Sequence, residues 1–102
     1  MAEFVTVGGA ADVPEGDMKV FTVGDAPILV ARVDGSLYAF SDICTHQGCN
    51  LNTGELEGTE IECECHGSVF DMGTGAVIQG PATEPIATYG VAEDGGQLKV
   101  EA

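Results

Sequence analysis

The sequence predicts an all-β fold, an antiparallel sandwich or partly open barrel, on three observations. Short apolar runs recur at regular intervals, fifteen glycines and four prolines are scattered between them, and no window sustains a 3.6-residue apolar period. Phe4 to Val7, Met18 to Val23 and Ile28 to Val33 read as strands. Asp34-Gly35 then separates Ile28–Val33 from Leu37–Phe40, a strong short-range hairpin signal. Glu57-Gly58 reads as a turn. Asp94-Gly95-Gly96 reads as another, leading into a closing strand from Gln97 to Glu101. The cluster Asp71-Met72-Gly73-Thr74-Gly75 turns the chain between Val69-Phe70 and Ala76-Val77-Ile78.

The middle of the chain is different in kind. From Ser41 to Gly54, and again from Glu62 to Gly67, the strand pattern gives way to Cys, His, Gly and Asn. Those residues favour loops that wrap something over elements that pack. The expected organisation is one domain over residues 1–102, with flanking strands as a base and an inserted segment, about 41–80, as its tip.

At 102 residues with 44% apolar content the chain can bury a core without staples, which argues against disorder. The apolar stretch Ala26 to Val33 is too short to cross a bilayer and holds a Pro and an Arg. The N-terminus shows no basic region, apolar signal segment or twin-arginine pair, so the expected location is the cytoplasm. Three basic residues (Lys19, Arg32, Lys99) stand against seventeen acidic ones, for a net charge of −14. That balance excludes nucleic acid and anionic membrane as partners, since both need a positive surface. It fits either a solvated surface or steering toward a basic patch on a protein partner. Asp42, Glu60, Glu62 and Glu64 lie near the unusual segments and are candidates to surround a docking face.

All four cysteines and both histidines fall in two short runs, Cys44-Thr45-His46-Gln47-Gly48-Cys49 and Cys63-Glu64-Cys65-His66-Gly67-Ser68. Three kinds of chemistry compete for them. Two Cys and two His can hold zinc tetrahedrally, although zinc modules usually pair Cys with Cys and His with His, and two cysteines would be left over. A thioredoxin-like dithiol wants Cys-x-x-Cys beside a βαβ pattern, and neither is present. Structural disulfides alone leave both histidines without a task. The third possibility, an iron–sulfur cluster, rests on what the two motifs resemble.

Cys44-x-His46 and Cys63-x-x-His66 resemble the motifs of the Rieske-type ferredoxins of bacterial ring-hydroxylating dioxygenase systems. The resemblance runs over essentially the whole chain. It takes in Asp34-Gly35-Ser36-Leu37-Tyr38-Ala39-Phe40, His66-Gly67-Ser68-Val69-Phe70-Asp71 and Gly80-Pro81-Ala82-Thr83-Glu84-Pro85. It implies one [2Fe–2S] cluster, with Cys44 and Cys63 on one iron and His46 and His66 on the other. Two ferric ions, two sulfides and two thiolates sum to zero charge, whereas four thiolates give a dianion. A neutral cluster accepts an electron more readily, which helps lift the potential to about −150 to +300 mV from about −400 mV for plant-type clusters.

The resemblance also implies roles around the cluster. Cys49 and Cys65 depart from the usual dioxygenase ferredoxin and match the loop-bridging disulfide of respiratory and photosynthetic Rieske proteins. A Cys49–Cys65 disulfide is therefore expected, with two reduced buried thiols as the alternative because cytosolic disulfides are uncommon. Ser68 is expected to donate a hydrogen bond to a cluster sulfide. Phe70 stands where high-potential relatives carry a second donor, a tyrosine, so the potential should fall in the lower half of that range. Gly80-Pro81 resembles the loop that shields the cluster, and Gln47, Gly48 and Gly67 would shape the histidine-bearing tip.

The implied function is a one-electron carrier, expected to be monomeric, between an NAD(P)H-dependent flavoprotein reductase and a terminal aromatic-ring-hydroxylating oxygenase, without catalysis of its own. The alternative is a Rieske subunit fixed in a larger oxidoreductase, toward which Cys49, Cys65 and Ser68 lean. The aromatic substrate belongs to the oxygenase and is not written in this chain.

Overall fold

The computed structural model describes residues 4–45, 49–65 and 67–101. Ten strands build it: β1 (Phe4–Gly9), β2 (Met18–Val23), β3 (Ala26–Val33), β4 (Ser36–Ser41), β5 (Glu55–Glu57), β6 (Glu60–Glu62), β7 (Val69–Asp71), β8 (Val77–Gln79), β9 (Thr88–Asp94) and β10 (Gln97–Glu101). Six of them form an antiparallel sheet in the order β1-β10-β9-β4-β3-β2, whose two edge strands touch and nearly close it. The other four form a second sheet, β5-β6-β7-β8, drawn entirely from the middle of the chain. Two short 3₁₀ turns, Ala10–Asp12 and Leu51–Thr53, complete the described elements.

The β3–β4 hairpin pairs Val33 with Ser36 around Asp34-Gly35. Both turn residues have positive φ, +53° and +78°, the combination that matches the twist of the flanking strands. Asp34 bears the cost of the left-handed conformation, and the Glu15 carboxylate accepts the backbone N–H of both Asp34 (2.6 Å) and Gly35 (2.8 Å).

Strand β3 explains how the two sheets come together. Ile28 and Val30 point into a core with Phe21, Ala39, Leu98 and Val100, inside the large sheet. Leu29 and Ala31 point the other way, into a second core with Phe40, Leu51, Ile61, Phe70 and Met72. Successive side chains alternate faces, so a strand buried on both sides must be apolar throughout, and Pro27 to Val33 reads that way apart from Arg32. Arg32 Nε donates to the Val13 carbonyl (2.8 Å), and its guanidinium pairs with Glu93 (3.0 Å). The second core joins the inserted sheet to the base, and Cys44 and Cys63 belong to it.

Candidate metal centre

Two loops meet at the far side of this second core. The first leaves β4 at Ser41, passes Cys44 and returns through Cys49 to the Leu51–Thr53 turn. Its neck is closed by the Cys44 N–H donating to the Cys49 carbonyl (2.7 Å) and by an antiparallel bridge between Ile43 and Asn50. The second leaves β6 at Glu62 and re-enters at β7. Here the Cys63 N–H donates to the Ser68 carbonyl (2.7 Å), and the Gly67 N–H donates back to the Cys63 carbonyl (3.0 Å). Gly67 makes this tight return at φ +77°.

Each loop thus contributes one cysteine to the core, Cys44 and Cys63, both 2% exposed. A disulfide joins Cys49 of the first loop to Cys65 of the second, with Cα atoms 6.5 Å apart. Cys49 is half-buried and Cys65 exposed, so this bond clamps the loops from the solvent side. The sulfurs of Cys49, Cys63 and Cys65 lie within 4.8 Å of one another. A disulfide sulfur is not a thiolate, so of these three only Cys63 offers a metal ligand. His46, Gln47, Gly48 and His66 lie outside the described residues.

A third loop, running from β8 to β9, lies against both. It begins with a cis peptide bond between Gly80 and Pro81. The Ala82 N–H donates to Ser68 Oγ (3.0 Å), Thr45 Oγ1 donates to the Glu84 carbonyl (2.6 Å), and Gln79 Nε2 donates to the Gly67 carbonyl (3.1 Å). Sequence reasoning misses the roles of Thr45 and Gln79. Thr45 does sit inside Cys44-x-His46, and a hydroxyl within a ligand motif is the signal that points to it.

The donors present suit a mixed thiolate–imidazole cluster. Cys44 and Cys63, one buried cysteine from each loop, would supply its thiolates, and His46 and His66, outside the described residues, its imidazoles. Ser68 is fully buried and its oxygen already accepts an N–H, so its own hydroxyl hydrogen is left to donate. Four-coordinate zinc would fit the same four side chains but would give that hydrogen no anionic sulfide to meet.

Electrostatically the rim is acidic. A cavity of about 310 Å³ is walled by Glu55, Glu62 and Glu64 with Cys63 at its side. Registers place Glu55 opposite Glu62, Glu57 opposite Glu60, and Glu60 opposite Asp71, like charges that repel across the strands. Contrary to the expectation from sequence, Asp42 cannot border a docking face, because it is 1% exposed. Amide groups of Asn50 and Asn52 take up its carboxylate and draw it inward.

The Rieske [2Fe–2S] domain model matches residues 3–90. The chain belongs to that family. A ferredoxin component of a naphthalene 1,2-dioxygenase system from Pseudomonas aeruginosa is 37% identical over 88% of this chain and 86% of its own length. A cytochrome b6-f complex iron–sulfur subunit from Chlorobaculum tepidum is 38% identical over 94% of this chain but 52% of its own. Among solved structures, the complex of reduced oxygenase and oxidised ferredoxin in carbazole 1,9a-dioxygenase contains a chain that superposes with a TM-score of 0.88. It is 35% identical, over 96% of this chain and 92% of that one. The all-β Rieske fold expected from the sequence is the fold observed. Membership in the family supplies the cofactor, one [2Fe–2S] cluster. Among the described residues no helix is long and apolar enough to cross a membrane.

Proposed function

We propose that this chain carries single electrons from an NAD(P)H-dependent flavoprotein reductase to a terminal aromatic-ring-hydroxylating oxygenase, and transforms no substrate itself. The observation that carries the reading is the pair of buried cysteines, one per loop, in a Rieske chain that aligns almost end to end with a dioxygenase ferredoxin. In this reading Cys44 and Cys63 hold one iron and His46 and His66 the other. The cluster supplies a site that gains and loses one electron reversibly.

The protein's own residues set the terms of that exchange. The loop from Gly80 to Pro85, tied down through Ser68 and Thr45, keeps water from one side of the cluster. Ser68 aims its hydroxyl hydrogen at a cluster sulfide and favours the reduced state. The net charge of −14 attracts partners with basic docking faces before contact. The cytoplasm is the compartment in which such a reductase would find its NAD(P)H.

The test is a low-temperature EPR spectrum of the dithionite-reduced protein beside an optical spectrum of the oxidised form. A rhombic signal with a low average g, on a red-brown protein, is expected. A colourless, EPR-silent protein containing zinc would overturn the reading. Electron delivery to a purified oxygenase should slow at least about tenfold as ionic strength rises from about 0.01 to 1 M, because screening shortens the reach of surface charge from about 30 to 3 Å. A rate indifferent to salt would remove steering from the account.

Ser68→Ala should lower the midpoint potential. It should also leave the buried Ala82 N–H without its acceptor, at a cost of about 1–3 kcal/mol. Voltammetry and a thermal melt separate the two effects. A lower melting temperature at unchanged potential would make Ser68 only a peg for the third loop.

A further inference from the structure

Asp42 is a buried carboxylate, and among the described residues no cation pairs with it. The chain has three basic side chains, and each is engaged elsewhere: Arg32 with Glu93, Lys99 with Asp94, and Lys19 over the Phe21 ring. What surrounds Asp42 is a set of N–H donors. Asn50 Nδ2 reaches Oδ2 (2.7 Å), the Asn52 backbone N–H reaches Oδ1 (2.8 Å), and Asn52 Nδ2 spans Oδ1 (3.0 Å) and Oδ2 (2.8 Å). Its main chain is held as firmly: its N–H donates to the Pro27 carbonyl (3.0 Å), and its carbonyl accepts from Leu51 (2.6 Å).

A buried carboxylate is expensive to desolvate, and an apolar residue here would fill the same space at lower cost. The geometry offers a reason to keep it. Asp42 stands just before the first ligand loop, while Asn50 and Asn52 stand just after it. One side chain therefore fastens the loop's entry to its exit, and the Pro27 bond fastens both to β3.

We infer that Asp42 is a positioning residue for the metal centre: through Asn50 and Asn52 it fixes the neck of the loop that carries Cys44. The inference rests on the reading of Cys44 as an iron ligand. Groups that orient ligands in this indirect way commonly change metal affinity about 10–100-fold when removed.

The experiment uses the cluster-loaded protein and two readouts, the EPR g values and the rate of iron release to a chelator well below the melting temperature. Asp42→Ala should release iron about tenfold faster or more and shift or broaden the g values. Asp42→Asn keeps an acceptor for the Asn52 backbone N–H, and the neighbouring amides can turn over to accept its NH₂. It should return both readouts close to those of the wild type. Should Asp42→Ala fail to fold, the combined Asn50→Ala and Asn52→Ala variant removes the side-chain donors from the solvent side and should give the same changes. Wild-type g values and release rate in the alanine variants, whatever their melting temperatures, would overturn the inference. A wild-type protein without the rhombic signal would instead sink the reading of the cluster itself.

Discussion

Cys63→Ser should yield a colourless protein without iron, while Cys65→Ser should keep its cluster and lose only the disulfide. The two cysteines are separated by one residue, and their sulfurs lie within 4.8 Å of each other, so proximity alone does not assign them. Burial and bonding do. Cys63 lies in the core with its backbone fixed to Ser68 and Gly67, whereas Cys65 is exposed and bound to Cys49. Serine preserves the size of the side chain and both backbone hydrogen bonds, so the loop should still form, but its hydroxyl does not ionise to a soft anionic ligand as a thiol does. The large sheet has a separate core around Ile28, Val30, Leu98 and Val100, so the β-type circular dichroism should survive. Iron content and the reduced EPR spectrum check both variants. Full iron in Cys63→Ser, or none in Cys65→Ser, would exchange the two assignments.

That assignment follows a division between what the sequence reveals and what it hides. The donor set was legible because Cys and His are rare and occur here only in two short runs. The large sheet was legible where strands are long or meet at a turn that demands positive φ, as at Asp34-Gly35. Strands β5 and β6 show in the sequence only as the turn Glu57-Gly58 between them. Each is three residues long, with one apolar side chain, Leu56 or Ile61, between two glutamates, too short for a period to register. Strand β9 alternates Tyr89 and Val91 with small residues. Gly90 is one of these, and Glu101 and Phe4 lie against it where a side chain would stand. Asp42 misled for another reason. An aspartate beside a loop motif resembles surface charge, and the side-chain amides that bury it come eight and ten positions later, a pairing visible only once the loop has closed.

Gly54→Ala should be strongly damaging although it touches no ligand. Gly54 follows the Leu51–Thr53 turn, where the first loop runs into β5, and its N–H donates to the Leu51 carbonyl (2.9 Å). Its φ of −84° is open to any residue, so the constraint is space. A Cβ at Gly54 would overlap the carbonyl oxygen of Glu62 and crowd that of Leu51 at 3.2 Å. Backbone cannot swing aside as a long side chain does. Glu62 is paired with Glu55 on one side and Val69 on the other, and Cys63 follows it at once. Relief therefore requires β6 to shift and to carry Cys63 with it. Overpacking of this kind costs about 3 kcal/mol, and each kcal/mol lowers the melting temperature of a domain this size by about 4–8 °C. Gly58→Ala is the control. Its φ is +59° and nothing lies within 4 Å of an added Cβ, so only the left-handed backbone cost of about 1–2 kcal/mol applies, at a turn remote from the ligands. Gly54→Ala should therefore melt well below Gly58→Ala and release iron faster at the same temperature below its own transition. If both variants lose iron at the same rate, the close approach of Gly54 to Glu62 does not hold Cys63 in place, and the two loops owe their alignment to the disulfide and the Asp42 network instead.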